Sequence, residues 1–165
     1  MPDRVFEMDV GAVKLPVVII DSREQMRLDF SNLHIRGVKS LDVIRHKLDE
    51  GDYSFSGFED KVFIERKSVG DLYGSIFQGR ERFEREFDRV VEKNYEYRYL
   101  IIESTPFAFA QYMEFHKNLI QFNSAFATLM SYAQKYNLKI RWCKTREGSA
   151  DYIARLGIKI LGEQT

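Results

Sequence analysis

Six short segments rich in β-branched and aromatic residues set the strongest limit on the fold of this chain. They are LPVVIID (15–21), DVIRHKL (42–48), YSFSG (53–57), KVFIERK (61–67), YRYLIIES (97–104) and LKIRWC (138–143). Each is five to eight residues long and bounded by polar or turn-forming residues, which is typical of β-strands. The third and fourth surround a Gly-containing connection, which predicts a β-hairpin.

Helices are predicted mainly after the strand-rich first third. A short helix capped by Ser68 or Asp71 runs to about Phe77, and 80–93 is a highly charged helix. Apolar residues at spacings of three and four predict a long amphipathic helix, and they are Leu119, Phe122, Phe126, Leu129, Ala133 and Tyr136. A last helix covers about 148–161, whereas 22–39 has no clean period and is predicted as mostly loop. Strands followed by alternating helices and strands favour an α/β fold with a central mixed sheet flanked by helices.

Length and composition narrow the possible functions. A chain of 165 residues predicts a single domain over 1–165, with 1–16 as an N-terminal extension of uncertain structure. The 25 basic and 25 acidic residues argue against a broad polycationic surface, although they permit a basic patch beside an acidic site. A single cysteine, Cys143, excludes an internal disulfide. We expect an intracellular protein without a signal peptide or membrane span, because the sequence has no suitable apolar run.

Acidic residues fall at the ends of the predicted strands. Asp21 closes the first strand with Glu24 three residues later, and Asp52 precedes the hairpin. Glu65 ends the hairpin's second strand, and because residues two apart share a strand face, Lys67 points to the same side. Carboxylates are ligands for Mg²⁺, and a nearby lysine can offset charge on a phosphate. An isolated acid-x-lysine pair on a strand is more often an exposed ion pair than part of a metal site. The choice between these two interpretations therefore depends on the other motifs of the sequence.

That wider pattern links several elements in a fixed order. Gly51-Asp52 is followed by Glu65-Arg66-Lys67 and, after three residues, by Asp71, while Asp21-Ser22-Arg23-Glu24 lies upstream. Further matching segments are GDLYGSI (70–76), Gly79-Arg80, YLIIE (99–103) and IRWC (140–143). In these motifs, over roughly 17 to 160, the sequence resembles the XPF-type structure-specific endonucleases, a branch of the restriction-endonuclease-like superfamily. The resemblance implies the restriction-endonuclease-like sheet of that superfamily.

The resemblance also implies roles for individual residues. Asp52 and Glu65 would be direct ligands of Mg²⁺ or Mn²⁺, helped by the backbone carbonyl of Arg66. Asp21 and Glu24 would complete the acidic cluster, with Asp21 also a metal ligand, and Lys67 would be the catalytic lysine.

Supporting and DNA-binding roles follow in the same way. Arg66 would pair with a nearby acid and stiffen its strand. Asp71 would hold Lys67, Arg66 or the start of its helix. The candidates for DNA phosphate contact are Arg23, Arg80 and Arg82, whereas the other charges of 80–93 are expected to pair within the helix.

The expected function is therefore metal-dependent hydrolysis of DNA, at branched, flap or junction structures. Two alternatives stay open: a less selective DNA endonuclease, and a catalytically silent DNA-binding or scaffolding subunit. The complete set of acids favours an active enzyme. A helix-hairpin-helix module, a preceding helicase and a helix in 25–40 are not found, which separates this sequence from the family pattern. The 119–136 stripe is either core or a face for a homodimer or heterodimer, since the resembled family dimerises through this helical layer.

Overall fold

The computed structural model describes residues 14–116 and 122–164, which contain six strands and five helices. The strands are β1 (Val18–Asp21), β2 (Val43–His46), β3 (Tyr53–Phe55), β4 (Val62–Lys67), β5 (Tyr97–Ile102) and β6 (Lys139–Trp142). The helices are α1 (Val69–Phe77), α2 (Arg80–Glu92), α3 (Pro106–Phe115), α4 (Phe122–Lys135) and α5 (Arg146–Glu163). All six predicted strands are present, and the α/β class is confirmed.

The strands form one mixed sheet in the order β2-β1-β3-β4-β5-β6. β3 runs antiparallel to both its neighbours, β1 and β4, and the remaining neighbouring pairs are parallel. The carboxyl ends of five strands and the amino end of β3 therefore lie along the same edge of the sheet. This edge brings together the acids that follow β1, precede β3 and end β4.

Each face of the sheet has its own hydrophobic core. On one face, alternate strand residues such as Ile64 and Ile101 pack against α5 and against apolar side chains of the 28–41 segment. On the other face, Phe63, Leu100 and Ile102 pack against helices α1 to α4. The central strands are buried on both faces, which explains why their sequences are continuous apolar runs.

One helix of the structure was not predicted, and another predicted helix lies only partly within the described residues. α3 was not predicted, although Thr105 caps it by accepting a hydrogen bond from the Ala108 N–H at 3.0 Å and Pro106 occupies its first turn. Its apolar residues are spread around the helix and give no clear 3.6-residue period. The expected long helix begins in the structure at Phe122 with α4, and Leu119 lies outside the described residues.

The other helix predictions hold to within a few residues. Ser68 caps α1, with its Oγ accepting from the Asp71 N–H at 3.2 Å. The 22–39 segment is irregular as expected, with only an isolated bridge between Ile35 and Val38. None of the described helices is both long enough and apolar enough to cross a membrane.

Gly157 of α5 permits close packing on the sheet. A Cβ added there would lie 2.5 Å from the ring of Phe55, a buried residue of β3, whereas a Cβ at Gly162 of the same helix would meet nothing within 4 Å. We therefore expect Gly157→Ala to lower the free energy of unfolding by about 1–3 kcal/mol, because the core cannot accept the added methyl group without moving. Gly162→Ala, the control, should leave stability unchanged or raise it by up to about 1 kcal/mol through helix propensity. Urea denaturation measures both, and equal effects would contradict the packing argument.

Candidate active site

A cleft of about 770 Å³ opens at the carboxyl edge of the sheet. Its walls are the turn before β3, the end of β4 and the facing sides of α1 and α2. The acids Asp52 and Glu65 and the amine of Lys67 lie together in this cleft. The structure thus brings together three residues that are separated by up to 15 positions in the sequence.

The Gly51-Asp52 turn is fixed against β4 by its backbone. Gly51 has φ +83°, and a Cβ there would lie 2.9 Å from the carbonyl oxygen of Ile64, so only glycine fits. The Asp52 N–H donates to the same Ile64 carbonyl at 2.8 Å, and the Asp21 N–H donates to the Asp52 carbonyl at 2.8 Å. The Asp52 carboxylate in turn accepts the Arg66 N–H at 2.9 Å. Asp52 is therefore held between β1 and β4.

Glu65 and Lys67 occupy the same face of β4, as the strand alternation predicts. Nζ of Lys67 lies 3.3 Å from Oε1 of Glu65 and 5.3 Å from the centre of the Phe83 ring on α2. The Glu65 side chain is only 8% exposed. A buried carboxylate, an ammonium and an aromatic wall thus form the floor of the cleft.

The pKa values of these groups are strongly shifted. Burial raises the pKa of Asp52 to about 7, and the Arg66 N–H only partly opposes it. Burial, followed by the charges of Asp52 and Glu86, also raises the pKa of Glu65 well above its usual value. Burial would lower the pKa of Lys67, but Glu65, Asp52 and Glu86 outweigh this and raise it, so the amine stays charged. Two acids therefore share one lysine as their principal counter-charge.

Arg66 points to the opposite side of β4 and is 7% exposed. Its guanidinium donates to Glu24 at 3.1 Å, to Glu103 at 2.6 Å and to the Met26 carbonyl at 2.9 Å. The expectation that Arg66 pairs with a nearby acid is thus met. Glu24 lines the cleft, but both its carboxylate oxygens accept hydrogen bonds from Arg66.

Asp21 is 3% exposed and fully engaged by neighbouring donors. One oxygen accepts from Nε of Arg23 at 2.9 Å, and the other accepts from the Leu48 N–H at 2.8 Å. Burial would raise the pKa of Asp21, but these hydrogen bonds outweigh it and lower the pKa. Asp21 therefore orients Arg23 and the loop after β2, and any role as a metal ligand stays a prediction.

The three predicted DNA-contacting arginines differ in their surroundings. Arg23 is 61% exposed and paired with Asp21, whereas Arg80 pairs with Glu84 at 3.0 Å and does not line the cleft. Arg82 lines the cleft, and in the described part of the chain it has no hydrogen bond or ion pair. Arg82 is thus the arginine of the three with no competing acceptor among the described residues, whereas Arg23 has only part of its donors paired.

Asp71 was expected to hold Lys67, Arg66 or the start of its own helix. It lies in the first turn of α1, where a carboxylate interacts favourably with the helix dipole, and it also borders the cleft. Among the described residues it pairs with neither Lys67 nor Arg66. The third of the three expected roles is the one that this position supports.

Glu86 is a site residue that the sequence pattern did not reveal. The acids of α2 were expected to pair within the helix, and Glu81 and Glu84 do so with Arg85 and Arg80. Glu86 instead lines the cleft, and its proximity helps burial and Asp52 to raise the pKa of Glu65. Its spacing of four from Arg82 was the available signal, because it places both residues on one side of the helix.

The donor set of this cleft fits a hard divalent cation. Asp52 and Glu65 supply carboxylate oxygens, and burial disfavours their charged forms unless a cation is near. Within 14–116 and 122–164, no group of three or more His, Cys, Asp and Glu side chains is arranged to hold a metal by itself. Mg²⁺ is usually bound through only one or two carboxylates with several waters, so two suffice.

Comparisons with known proteins show the family and the fold to which the chain is similar. A family model described as the ERCC4 domain matches residues 20–156. The fold is similar to that of XPF from Aeropyrum pernix, with 25% identity, a TM-score of 0.65 and coverage of 90% of this chain and 68% of that chain. A structure of XPF from Aeropyrum pernix in complex with DNA gives 26% identity, a TM-score of 0.64 and coverage of 88% and 66%. No curated protein matches the chain.

The raised pKa of Asp52 predicts a pH-dependent stability effect. In the unfolded chain this group ionises near 3.8, whereas in the folded chain it ionises at about 7. The folded state thus binds more protons between these values, and its stability falls as the pH rises through them. In EDTA, Asp52→Asn should therefore stabilise the fold by about 1–3 kcal/mol at about pH 8 and by less at about pH 5.

Urea denaturation at the two pH values measures this difference. Asp60→Asn removes an exposed acid from the β3–β4 connection and serves as the control, with the same small effect at both pH values. A loss of stability in Asp52→Asn at about pH 8 would contradict the proposed electrostatic strain.

Proposed function

Because the chain belongs to the ERCC4 domain family, we propose that it is a metal-dependent endonuclease that hydrolyses phosphodiester bonds in DNA. The observation that carries this proposal is the meeting of Asp52, Glu65 and Lys67 in one cleft at the carboxyl edge of the sheet. The similarity to an XPF structure that contains DNA supports the choice of substrate. A DNA substrate would also agree with the expected intracellular location.

Asp52 and Glu65 would hold the cation, with the Arg66 carbonyl as the further ligand that the resemblance implies. Mg²⁺ or Mn²⁺, when bound, polarises a phosphate oxygen and lowers the pKa of a coordinated water. Binding a cation would also offset the burial, and the repulsion by neighbouring acids, that raise the pKa values of Asp52 and Glu65. The local electrostatic strain of the metal-free fold is thus converted into metal affinity.

Lys67 would act on the phosphate rather than on the metal. Its charged amine lies 3.3 Å from Glu65, so it reaches the same bound phosphate that the cation contacts. A fixed positive charge at this point stabilises the negative charge that grows on the phosphate oxygens during hydrolysis. The ring of Phe83 keeps the amine in place and shields it from water.

Arg82 and Arg23 would position the DNA backbone on the two sides of this centre. Arg82 is unpaired among the described residues, and the Arg23 side chain is 61% exposed. The resemblance favours branched, flap or junction DNA as the substrate. A cleavage panel of labelled flap, fork, junction and linear duplexes would separate this preference from that of a less selective endonuclease.

Substitutions in the cleft test the division of roles. Lys67→Met removes a charge but no metal ligand, so it should abolish most turnover while Mn²⁺ affinity stays within a few fold. Asp52→Ala should reduce both cleavage and Mn²⁺ affinity by at least about tenfold. Calorimetric Mn²⁺ titration and single-turnover cleavage measure the two effects, and Lys61→Met, an exposed lysine before β4, is the control.

Each outcome has a distinct meaning. If the wild-type protein cuts no DNA with Mg²⁺ or Mn²⁺, the nuclease proposal is wrong, and the alternative of a catalytically silent DNA-binding subunit replaces it. Cleavage by Lys67→Met at the wild-type rate would refute the role of Lys67 alone.

We also propose dimerisation, homomeric or heteromeric, through the C-terminal helices. Leu129 and Tyr136 of the predicted stripe are buried in the core, so they do not provide the interface. The apolar surface that remains on α3 and α4 includes Phe107, Phe115 and Met130, which are 72%, 84% and 67% exposed. Such exposed apolar groups are typical of protein interfaces.

Light scattering tests the homodimer. We expect a dimer at high micromolar concentration, since an interface of about 1,200 Å² or more is needed for a stable contact. Phe115→Ser should shift the equilibrium to monomer, whereas Met26→Ser, an exposed apolar residue outside these helices, should not. A wild-type monomer at high concentration would leave only a heteromeric partner.

A further inference from the structure

Glu50, directly before the Gly51-Asp52 turn, is a buried acid that the proposed chemistry does not use. It is 5% exposed, and it accepts hydrogen bonds from Nε and Nη2 of Arg89 at 2.7 and 3.2 Å. Nζ of Lys93, the residue that caps α2, donates to the same carboxylate at 3.0 Å. Burial would raise the pKa of Glu50, but these two cations outweigh it and lower the pKa. Glu50 is therefore a charged anchor between the turn and α2.

The two cations exceed what this anchor requires. A guanidinium that donates twice already neutralises one carboxylate, as Arg89 does here. Lys93 adds a second positive charge, and the two side chains remain 49% and 45% exposed. The group thus has a net charge of +1 at the surface, with donors that face solvent. A surplus of this kind fits an anionic ligand better than a purely structural ion pair.

The position of Arg89 and Lys93 on α2 indicates that the anion is a phosphate of the DNA backbone. Arg82, Glu86, Arg89 and Lys93 follow one another at spacings of four, three and four, so they form one stripe of the helix. Arg82 and Arg89 both line the cleft. Seven residues of helix separate them by about 10 Å, which is the length of about three nucleotides along a duplex. A strand that contacts Arg82 can therefore also reach Arg89.

The net negative charge of the cleft explains why additional positive groups on α2 would help it to bind DNA. Eight carboxylates and four cationic side chains line the cleft, so its surface repels a DNA backbone. A positive group at the rim, beyond the acids at the centre, offsets that repulsion. Because Glu50 holds Arg89 and Lys93 in place before DNA binds, these long side chains lose less conformational entropy on binding.

We propose that Arg89 and Lys93, held in place by Glu50, bind a backbone phosphate of the DNA a few nucleotides from the bond that is cut. The proposal rests on the DNA nuclease function proposed above and extends it along α2. Glu50 is a positioning residue in this arrangement, because it contacts the cations and not the DNA.

Fluorescence anisotropy with a short fluorescein-labelled flap duplex, in Ca²⁺ and over a range of salt concentrations, tests this contact. Arg89→Ala alone would leave Glu50 buried with one partner, so Glu50→Gln/Arg89→Ala is the main variant. It should bind DNA about tenfold more weakly, and the slope of log K against log salt should decrease in magnitude by about 1. Lys93→Ala, which keeps the Glu50–Arg89 pair, should show a smaller loss and a similar change in slope.

Two controls separate contact from fold. Arg85→Ala removes another paired arginine of α2, bonded to Glu81 at 3.1 Å outside the cleft, and should leave affinity and slope unchanged. Glu50→Gln keeps both cations but no longer fixes them, so it should weaken DNA binding less than the double variant does and leave the slope of log K against log salt unchanged. Thermal melts followed by circular dichroism confirm that each variant is folded, and Lys93→Ala decides the question if the double variant is not.

The outcomes distinguish this inference from the proposed function. If wild-type protein cleaves the flap duplex but Lys93→Ala and the double variant bind with wild-type affinity and slope, the α2 contact is wrong and the nuclease assignment stands. If wild-type protein neither binds nor cleaves DNA, both proposals are wrong. Equal losses in Arg85→Ala and in Lys93→Ala would also overturn the contact, because each removes one positive charge and the effect would then be that of net charge.

Discussion

The alternation of side chains along β4 is the constraint on which the site depends. Glu65 and Lys67 enter the cleft, while Arg66 between them is buried on the other face of the sheet. A buried guanidinium is tolerated only when its donors are paired, and Glu24 and Glu103 provide that pairing. The network behind the strand thus fixes the strand end whose front face carries the proposed chemistry. Three consecutive charged residues, which look like a solvated run, are in fact divided between two environments.

The carboxylates of the site fall into two groups with opposite electrostatics. Asp21 and Glu24 have arginine partners, so they strengthen the fold when charged. Asp52 and Glu65 have one lysine between them, and burial disfavours their charge. Such strain is typical of functional sites and persists only where the surrounding structure enforces it. Here the enforcement comes from the Gly51 turn on one side and from β4 on the other.

The sequence predicts the sheet well because the strands are apolar on both faces and therefore form continuous β-branched runs. The motif residues also fall where expected, since strand ends that share an edge bring Asp52 and Glu65 together. Hydrophobic periodicity does not predict helix α3. α3 has a buried side formed by Phe109 and Met113 but no regular stripe, so only its Thr-Pro start marks it.

The charged residues of α2 show a second limit of sequence reasoning. Every position outside its apolar stripe is charged, so the pattern identifies the buried side but not which charged side faces the cleft. Glu86 and Arg89 acquire their positions only through the tertiary contacts of α2 with Glu65 and Glu50. Those contacts are long-range in sequence, and intrahelical spacing alone assigns both residues to ordinary surface pairs.

The net charge of zero does not describe how the charges are distributed in the structure. Equal numbers of acids and bases exclude a broad positive surface, but they do not show which charges are paired. In the described part of the chain the buried arginine of β4 is matched by acids, whereas Arg82 at the cleft has no partner. A DNA backbone responds to the unmatched charge along its path, not to the total. A neutral domain can therefore present a narrow positive stripe on α2 beside an acidic centre, because the two cancel in the sum and remain separate in space.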